Sequence, residues 1–590
     1  MSPIDPHSYA DPSQGTIKHL KLTIAADFSM RVLRIQAHYD FDRPVTGELF
    51  LDCRGLTIQS ASAGGRKVGF SVDKSDPVLG ERLCIESLGG ATALLLEVTT
   101  SPHAKALQWL EPHQTAGGQL PFLYSQCQCL HARSIFPCQD TPSVRFSYEA
   151  HLQVPRGLTA VMAAAPVERI TQGDIETFSF RMPQPIPSYL FAMAAGSLQF
   201  RSLDLRTGIY AEPQILEAAA WEFAENEQKL AEAEKLFGPY LWDRYDVLIM
   251  PPSFPFNGME NPRLTFATPL LVLGDRSGTT VISHEIAHAW TGNLVTNATW
   301  EDFWLNEGFT TYAQGRINER IEGRDIAQLL DHARYATLLA DIKAFGSDSP
   351  HTALKDSLQG IDPDDVFSRV PYVKGSLFVK SLEDAVGREA FDRFLRDYTS
   401  HFAFSSLTTE QFVEFLRDRL PHSLDVVDVH GWLYRRGMPP TTPTFESPLI
   451  EAVTERIAAY QQGSLPANGE MQRWDPNQKG LFLELLPPKV PPDDCGRIER
   501  ALGLTDSRDQ FLLFLLYRLA LASGYQAAMP GIRRFTESVG SLYMLTRLIR
   551  SMVEEDWARP LARPIFQNTR AKYHPIVANS IEAILLEAGL

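Results

Sequence analysis

The hydrophobic pattern of this 590-residue chain changes period part-way along its length, and this change limits the folds that it can adopt. From about residue 15 to 200, short apolar runs such as LRIQAHYDF and FSYEAHLQV are separated by Gly, Pro and Asp, which is typical of β-strands. From about residue 214 onward the apolar residues recur with helical spacing, and ILEAAAWEFAENEQKLAEAEKLFG predicts one long helix that ends at Gly238. A β-rich segment is therefore followed by a helical one.

The length of the chain predicts several domains, because one hydrophobic core rarely organises so many residues. We predict a multidomain α+β protein with an N-terminal all-β domain of saddle or sandwich type in residues 1–200. A middle domain covers residues 201–438, and the Pro-rich segment 439–448 is the linker. Residues 449–590 contain runs such as FLLFLLYRLALASG and SLYMLTRLIRSMVEEDW, which predict a C-terminal α-helical bundle or solenoid.

The composition disfavours some classes of partner. The formal net charge is -16, and no basic stripe stands out that could bind phosphates or an anionic membrane surface. The N-terminus lacks the pattern of a secretory signal, and no uncharged apolar segment approaches the roughly 20 residues that span a bilayer. Only six cysteines are present, which favours reduced thiols. We expect a cytoplasmic protein with no nucleic-acid and no membrane partner. Its oligomeric state is open, with a monomer slightly favoured.

The segment VISHEIAHAWTGNL contains the residues that point most directly to chemistry, His284 and His288. On a helix, side chains four residues apart lie on one face, so both imidazoles can reach a single ion. Zinc accepts imidazole and carboxylate ligands and keeps an open position in catalytic sites. The pattern therefore predicts a zinc site that requires a third ligand.

The third ligand is predicted in WEDFWLNEGFTTYAQG, where Glu307 follows His288 after eighteen intervening residues. Glu307 would complete a site of two histidines and one glutamate, which holds one Zn²⁺ per chain. Glu285 lies between the two histidines in the sequence, and its carboxylate would point beside the ion rather than at it. There it can take a proton from a zinc-activated water and act as the catalytic general base.

These segments together resemble the M1 family of zinc aminopeptidases, which are gluzincins. The HEIAH motif, the later glutamate and an upstream GMEN stretch carry the resemblance. PPSFPFNGMENPRLTFATPLLVLGD, SQCQCLHARSIFPCQDTPSV and DPDDVFSRVPYVKG are most similar to the branch of leukotriene A4 hydrolase and aminopeptidase B. The resemblance is clearest over about residues 120–440. It implies a β saddle domain, a thermolysin-like zinc catalytic domain and a C-terminal helical domain.

The resemblance also implies roles for single residues. Glu260 of GMEN would bind the free α-amine of a peptide substrate through a charge-assisted hydrogen bond, and Gln128 of SQCQC would share that amine. Gly258 and Met259 lie on the segment that the substrate backbone follows. Tyr372 of VPYVKG would donate a hydrogen bond to the developing oxyanion.

Three positions depart from the family pattern. Asn257 stands where the family has glycine, and its side chain is expected to narrow or reshape the site. Phe367 replaces a tyrosine that lines the pocket. Gln314 lies on the same helix face as Glu307 and is a candidate to orient a ligand, at a position where the family more often has glutamate.

Two features bear on substrates of the leukotriene A4 hydrolase branch. Asp364 of DPDD matches the aspartate linked to epoxide opening, although aspartate is also an ordinary turn residue there. Ser541 and Tyr543 occupy the positions of two basic residues that hold a substrate carboxylate in the family, and a small shift could bring Arg547 there instead. A carboxylate clamp at these positions is therefore not expected.

We predict a zinc-dependent aminopeptidase that hydrolyses N-terminal residues from peptides with a free amine. The alternative is an epoxide hydrolase of leukotriene A4 hydrolase type, as the main or a second activity. A scaffold without chemistry is disfavoured because the zinc ligands, the base and the tyrosine are all present. An endopeptidase is disfavoured by Glu260, because such an enzyme has no use for an amine-binding acid. The sequence does not fix the preferred N-terminal side chain.

Overall fold

The computed structural model describes residues 5–440 and 444–590. The N-terminal part is β-rich, as predicted. Its strands are β1 (Ile17–Asp27), β2 (Val32–Val45), β3 (Leu49–Cys53), β4 (Thr57–Ala63), β5 (Arg66–Lys67), β6 (Phe70–Val72), β7 (Glu81–Ile85), β8 (Ala91–Thr99), β9 (Leu107–Leu110), β10 (Phe122–Ser125), β11 (Arg145–Pro155), β12 (Thr159–Met162), β13 (Ala165–Gln172), β14 (Ile175–Pro187) and β15 (Met193–Gly196).

Most of these strands join one eight-stranded sheet with the order β13-β14-β11-β1-β2-β8-β4-β5. Strands β1 and β11 run parallel, with Leu22 opposite Ala150, and the other neighbours are antiparallel. In β1 every second residue from Leu20 to Ile24 is buried, so one face of the sheet packs on the core. A three-stranded sheet, β3-β7-β6, and a four-stranded sheet, β12-β15-β10-β9, complete this part.

The middle part combines a small mixed sheet with helices. Its strands are β16 (Gln199–Ser202), β17 (Thr207–Ala211), β18 (Tyr245–Ile249), β19 (Gly258–Met259), β20 (Leu264–Ala267), β21 (Val295–Asn297) and β22 (Ser405–Leu407). Its helices are α1 (Pro213–Glu222), α2 (Asn226–Phe237), α3 (Thr280–Ala287), α4 (Trp304–Ile321), α5 (Arg324–Phe345), α6 (Gly375–Val386), α7 (Arg388–His401), α8 (Thr409–Arg419) and α9 (Val429–Tyr434). The five-stranded sheet has the order β16-β17-β18-β20-β19, which leaves β19 at its edge.

The single long helix predicted up to Gly238 is wrong, because the chain turns between α1 and α2. The backbone N–H of Phe223 still donates to Ala219, but the N–H of Asn226 donates to Phe223 and starts a new helix. The turn allows Phe223 and Leu230 both to be buried in the core.

The C-terminal part is helical, as predicted. Its helices are α10 (Pro448–Gln461), α11 (Pro476–Leu485), α12 (Pro492–Leu502), α13 (Gln510–Ala522), α14 (Met529–Ser538), α15 (Leu542–Glu554), α16 (Arg559–Thr569) and α17 (Pro575–Glu587). Helices α11, α13, α15 and α17 pack side by side as one layer, α12 and α16 lie against it, and α14 packs on α16. This layered arrangement resembles a solenoid more than a bundle.

Two hydrophobic cores follow this division. One core runs from Ile17 to Leu433 and unites the β-rich and middle parts, and the other contains residues from Ile450 to Leu585 together with Leu329 of α5. Part of the predicted linker, residues 441–443, lies outside the described residues. The domain boundaries at residues 200, 438 and 448 stay predictions. Across the described residues, every helix is too short or too polar to cross a bilayer.

Candidate active site

The three predicted metal ligands lie together in the middle part of the chain. Nε2 of His284 lies 3.0 Å from Nε2 of His288 and 3.1 Å from Oε2 of Glu307. Nε2 of His288 lies 3.6 Å from the same oxygen of Glu307. His284 lies in α3 and His288 caps that helix, whereas Glu307 lies in the first turn of α4. The two helices therefore direct three ligand atoms at one point.

Hydrogen bonds hold both imidazoles with Nε2 facing the cluster. Nδ1 of His288 lies 2.9 Å from the carbonyl oxygen of Thr291, so it donates there and Nε2 carries no proton. The side chain of His284 is hydrogen-bonded to Gln314, the residue predicted to orient a ligand. Burial lowers the pKa of His284 to about 3 and also lowers the pKa of His288. Both imidazoles are therefore neutral near pH 7 and available as ligands.

This donor set fits a zinc ion. Two imidazole nitrogens and one carboxylate oxygen are the protein ligands of many catalytic zinc sites, which keep one position open. Burial raises the pKa of Glu307, and it raises the pKa of Glu285 well above its usual value. A divalent cation stabilises ionised carboxylates and would lower both pKa values. The cluster thus combines neutral imidazoles with buried carboxylates that require a positive charge.

Glu285 lies beside the ligand cluster. Its carboxylate, the carboxylate of Glu260 and a ring nitrogen of His288 lie within 4.8 Å of one another. A Cβ atom on Gly258 would lie 2.2 Å from Oε1 of Glu285, so a larger residue at position 258 would displace this carboxylate. Glu285 is thus placed where a base can reach a water held at the cluster.

Glu260 is a buried carboxylate that faces the same space. Its side chain is 4% exposed, and its Oε1 atom has no hydrogen-bond partner in the part of the chain that the structure describes. The side-chain amide of Asn293 donates to the backbone carbonyl of Glu260 at 2.7 Å and so fixes this residue. Gln128 lines the same cavity, and its Nε2 atom is also without a partner among the described residues. The buried carboxylate of Glu260 is therefore available to a cationic ligand, and the side chain of Gln128 lies in the same cavity.

Gly258 and Met259 form the edge strand β19 immediately before Glu260. They pair with β20 in antiparallel register, Gly258 with Ala267 and Met259 with Phe266. The outer side of this strand is free of any neighbouring strand in the described structure. An edge strand can add an extended peptide by main-chain hydrogen bonds, so β19 suits a substrate backbone.

Tyr372 lies next to the ligand cluster. Its ring centroid lies 6.0 Å from that of His284, and its side chain is hydrogen-bonded to Glu307. It belongs to a π-helical turn, Val370–Lys374, a geometry that is frequent at functional sites. Phe367, the replacement noted in the sequence, packs edge-to-face on Tyr372 at 5.8 Å.

Two glycines allow the helix of Glu307 to lie against the turn of Tyr372. A Cβ atom on Gly308 would lie only 2.8 Å from Cα of Gly375, and one on Gly375 would lie equally close to Gly308. Backbones that approach this closely leave no room for side chains. The two glycines therefore bring the ligand glutamate and the tyrosine to the same site.

Asp364 lines the cavity and is fixed by a buried histidine. Nε2 of His131 lies 2.8 Å from Oδ2 of Asp364, and the side chains are 1% and 24% exposed. Burial acts to raise the pKa of Asp364, but the interaction with His131 outweighs it and the pKa is lowered. Asp364 is therefore ionised and held in place next to the site.

The cavity has a volume of about 900 Å³ and lies between the middle and C-terminal parts. The backbone N–H of Leu542 donates to the carbonyl of Pro255 at 2.8 Å, just before the GMEN stretch. A Cβ atom on Gly540 would lie 2.2 Å from the carbonyl oxygen of Pro252, so the C-terminal part approaches this segment very closely. The helical domain therefore forms one wall of the active-site cavity.

The wall from the C-terminal part includes the three positions considered for a carboxylate clamp. Ser541, Tyr543 and Arg547 all line the cavity. The guanidinium of Arg547 donates to Asp341 at 2.8 Å and lies 4.0 Å from the ring centroid of Tyr543. Arg547 is thus already paired with an acid.

Asn257 is exposed and lines the cavity, and its carbonyl accepts a hydrogen bond from the backbone N–H of Thr268. Its backbone does not take the left-handed conformation. Its side chain is thus free to contact a ligand in the cavity, and its effect on the shape of the site stays a prediction.

Three residues of the site were missed in the sequence: His131, Asn293 and Arg369. His131 lies three residues after Gln128, and Arg369 lies three before Tyr372, so both stand inside quoted motifs. His131 contacts Asp364 and Arg369 lies 5.0 Å from the ring centroid of Tyr543, both in distant segments, and nothing in the local sequence predicts these partners. The same holds for Asn293, which reaches back to Glu260.

Comparison with known proteins follows the same three-part division. Residues 18–190 match the peptidase M1 N-terminal domain, residues 221–432 the peptidase family M1 domain, and residues 474–585 the C-terminal domain of leukotriene A4 hydrolase. The chain is 36% identical over 594 residues to leukotriene A-4 hydrolase of Xenopus laevis, with 97% of each chain covered. The chain belongs to the M1 peptidase family. Its predicted family and fold class are confirmed.

Other M1 relatives are similar over nearly the whole chain. Leucine aminopeptidase 2 of Chaetomium globosum is 33% identical over 608 residues, covering 99% of this chain and 98% of that protein. The structure of yeast leukotriene A4 hydrolase in complex with bestatin superposes with a TM-score of 0.91 at 31% identity, covering 99% of this chain and 97% of that one. The M1 zinc metallopeptidase of Deinococcus radiodurans shares the fold over a smaller part, 75% of this chain and 100% of that one, at 22% identity and a TM-score of 0.58.

Proposed function

We propose that this M1 family member is a zinc-dependent aminopeptidase that releases N-terminal residues from peptides with a free amine. The observation that carries the proposal is the buried, unpaired carboxylate of Glu260 within 4.8 Å of Glu285 and His288. A buried carboxylate without a partner is costly unless a ligand supplies the positive charge. A substrate ammonium does so, and it fixes the first residue next to the metal ligands.

His284, His288 and Glu307 would hold one zinc ion per chain. When bound, zinc polarises a carbonyl and lowers the pKa of a water. Glu285 accepts the proton of the attacking water through its carboxylate and then passes that proton to the nitrogen of the leaving amine. Burial holds Glu285 away from bulk water, so the proton stays at the site.

Other side chains orient the peptide. Glu260 accepts hydrogen bonds from the substrate ammonium, and Gln128 shares that group through its amide oxygen. Gly258 and Met259 pair with the substrate backbone along the free edge of β19. The hydroxyl of Tyr372 donates to the carbonyl oxygen as it gains negative charge during attack.

Asp364 supports a second candidate activity, epoxide hydrolysis of leukotriene A4 hydrolase type. The carboxylate is ionised, lines the cavity and is fixed by His131. It could direct water to a carbon atom remote from the zinc site. Turnover of leukotriene A4 by the wild-type protein, lost in Asp364→Asn with peptide hydrolysis retained, is the expected result for this activity. The absence of any turnover would exclude it.

Some finer features stay proposals. One zinc ion per chain is proposed because the described residues contain a single cluster of two histidines and a glutamate. The cytoplasm is proposed as the compartment because cysteines are few. Peptides with a free N-terminal amine are the proposed partners, and the oligomeric state stays open.

The proposal is tested with a panel of aminoacyl anilides and their N-acetylated counterparts. We expect hydrolysis of the free-amine anilides only, because acetylation removes the positive charge that Glu260 binds. In Glu260→Ala, kcat/KM for the free-amine anilide should fall by about 100-fold, corresponding to a loss of about 3 kcal/mol for a buried charge contact. Glu260→Gln keeps the shape of the side chain and serves as the matched variant, with a similar fall expected.

The acetylated anilides provide the control for this experiment. Glu260→Ala should leave their residual hydrolysis unchanged, because they lack the amine. Equal losses on both kinds of anilide, or no loss on either, would refute the role of Glu260 as amine anchor. Efficient wild-type hydrolysis of the acetylated anilides would instead indicate an endopeptidase.

A further inference from the structure

Asn293 connects two functional groups of the site. Its backbone N–H donates to the carbonyl of His288 at 2.9 Å, and its side-chain amide donates to the backbone carbonyl of Glu260 at 2.7 Å. Asn293 is buried, so both hydrogen bonds are shielded from water. One residue therefore links a predicted metal ligand to the proposed amine anchor.

The short loop that carries Asn293 is closely packed on the ring of His288. The carbonyl of Thr291 accepts a hydrogen bond from Nδ1 of His288 at 2.9 Å. Gly292 has a φ of +127°, and a Cβ atom there would lie 2.7 Å from Nδ1 of His288, so a larger residue does not fit. The same loop thus fixes the imidazole through Thr291 and the backbone of Glu260 through Asn293.

Arg145, the first residue of β11, holds this loop from the β-rich part. Its guanidinium donates to the carbonyl of Asn293, to that of Pro185 at 3.2 Å and to that of Ser405 at 3.3 Å. Burial lowers the pKa of Arg145 to about 10, so the group stays charged near pH 7. Within residues 5–440 and 444–590, no carboxylate forms an ion pair with it. Its charge is therefore directed at main-chain carbonyls.

These contacts form a continuous chain of hydrogen bonds that runs from Arg145 through Asn293 to Glu260. A hydrogen bond from a charged donor is stronger than one between neutral groups, so the bond from Arg145 restrains the main chain of Asn293. The restrained residue then presents its amide to the carbonyl of Glu260. Neither Arg145 nor Asn293 lines the cavity, so both act on a ligand only through Glu260.

An aminopeptidase requires a fixed spacing between the group that binds the amine and the metal ligands. In an α-amino acid the amine nitrogen and the carbonyl carbon are about 2.5 Å apart, and one additional CH₂ group between them adds about 1.3 Å. Displacing a bound substrate by about 1 Å can lower a rate by about 100-fold. The spacing between Glu260 and His288 therefore decides which position of the amine is accepted.

We propose that Asn293 and Arg145 are positioning residues that set the distance between Glu260 and the metal ligands, and thereby select substrates whose amine is on the α carbon. The inference rests on the proposed aminopeptidase function and assigns its selection by amine position to two residues outside the cavity. Asn293 fixes Glu260 directly, and Arg145 fixes Asn293.

The test measures kcat/KM of zinc-loaded protein on two anilides. One carries the α-amino acid that the anilide panel ranks first, and the other carries its β-amino homologue, which has one extra CH₂ group between the amine and the carbonyl. Asn293→Ala removes the donor to Glu260, Arg145→Met removes the charge, and Arg145→Lys keeps the charge without the planar fork. Arg456→Met is the matched control, because Arg456 is similarly buried and donates to the carbonyl of Ser464 in the C-terminal part.

We expect wild-type kcat/KM to be about 100-fold higher for the α-amino anilide than for the β-amino anilide. In Asn293→Ala and Arg145→Met this ratio should fall by at least about tenfold, because Glu260 is no longer held at one distance from the metal ligands. The ratio should be intermediate in Arg145→Lys and unchanged in Arg456→Met. Zinc content should stay that of the wild type in every variant, because the backbone N–H of residue 293 still bonds to His288.

Several outcomes would overturn the inference. An unchanged ratio in both Asn293→Ala and Arg145→Met is one, and an equal loss on both anilides, which would assign these residues to folding alone, is another. If these two variants do not fold, the wild-type ratio in Arg145→Lys would overturn it. A wild-type ratio near one with active hydrolysis would overturn the inference and leave the proposed function standing. A zinc-loaded wild-type protein that is inactive on all anilides would overturn the proposed function as well.

Discussion

The side chain of Tyr372 contacts two of the predicted metal ligands, Glu307 and His284. It is hydrogen-bonded to the ligand Glu307, and its ring packs on His284 and on Phe367. Burial raises the pKa of Tyr372 well above its usual value, so the hydroxyl keeps its proton. A protonated phenol next to the metal ligands can donate a hydrogen bond and cannot act as a base.

We therefore predict that Tyr372→Phe lowers kcat for an aminoacyl anilide by about 100-fold, with KM changed by less than about threefold. The reason is that one donor to a developing oxyanion contributes about 3 kcal/mol in the transition state and little in the ground state. Steady-state kinetics at saturating zinc measures both constants. A variant with normal zinc content and kcat within twofold of the wild type would contradict this role.

The residues that could be predicted from the sequence lie in contiguous motifs. His284, Glu285 and His288 occupy one helical turn, and Glu260 follows Gly258 and Met259 directly, so their arrangement is local. The partners that complete the site are different, because His131 contacts Asp364, Asn293 contacts Glu260, and Arg369 lies over Tyr543 as well as over its neighbour Tyr372. Their roles depend on how the domains pack, and no spacing along the chain encodes that packing.

At the scale of elements, the site depends on the contact between α4 and the π-helical turn Val370–Lys374. Gly308 in α4 directly follows the ligand Glu307, and Gly375 directly follows the turn that carries Tyr372. A Cβ atom on Gly308 would lie 2.8 Å from Cα and 2.9 Å from the carbonyl carbon of Gly375. Both atoms belong to the backbone, so the turn itself would have to move.

We predict that Gly308→Ala destabilises the protein by about 1–3 kcal/mol and lowers kcat, because overpacking separates Glu307 from Tyr372. Gly315→Ala is the matched control in the same helix, since its Cβ atom would meet only Asp331 at 3.4 Å. The control should be unchanged or more stable by about 0.5–1 kcal/mol, as alanine favours helix. Urea unfolding of both zinc-loaded variants gives the free energies. Equal stability of the two variants would contradict the close-packing argument.

The elements themselves were predictable to different degrees. In the C-terminal part, apolar residues recur with a clear helical period. Helices α13, α14 and α15 are found where FLLFLLYRLALASG, MPGIRRFTESVG and SLYMLTRLIRSMVEEDW predict them. The turn between α1 and α2 was not predictable from the period, because the residues on both sides of it are good helix formers. There the burial of Phe223 and Leu230 decides the structure.

At the scale of the whole molecule, the C-terminal helical part forms one wall of the active-site cavity. Leu542 bonds to Pro255, and Gly540 lies against Pro252, so this part contacts the segment before Glu260 directly. The three-part division was predictable from the change in hydrophobic period. The closure of the cavity was not, because it depends on a backbone contact between segments nearly 300 residues apart.

The central claim, that the chain is a zinc aminopeptidase, is tested most directly by removing and restoring the metal. Hydrolysis of the best aminoacyl anilide is measured in the purified protein, after chelation, and after zinc is added back, with zinc content determined at each stage. The account predicts activity that is lost with the metal and returns at one zinc ion per chain. Full activity in metal-free protein, or no activity on any anilide with zinc bound, would contradict it.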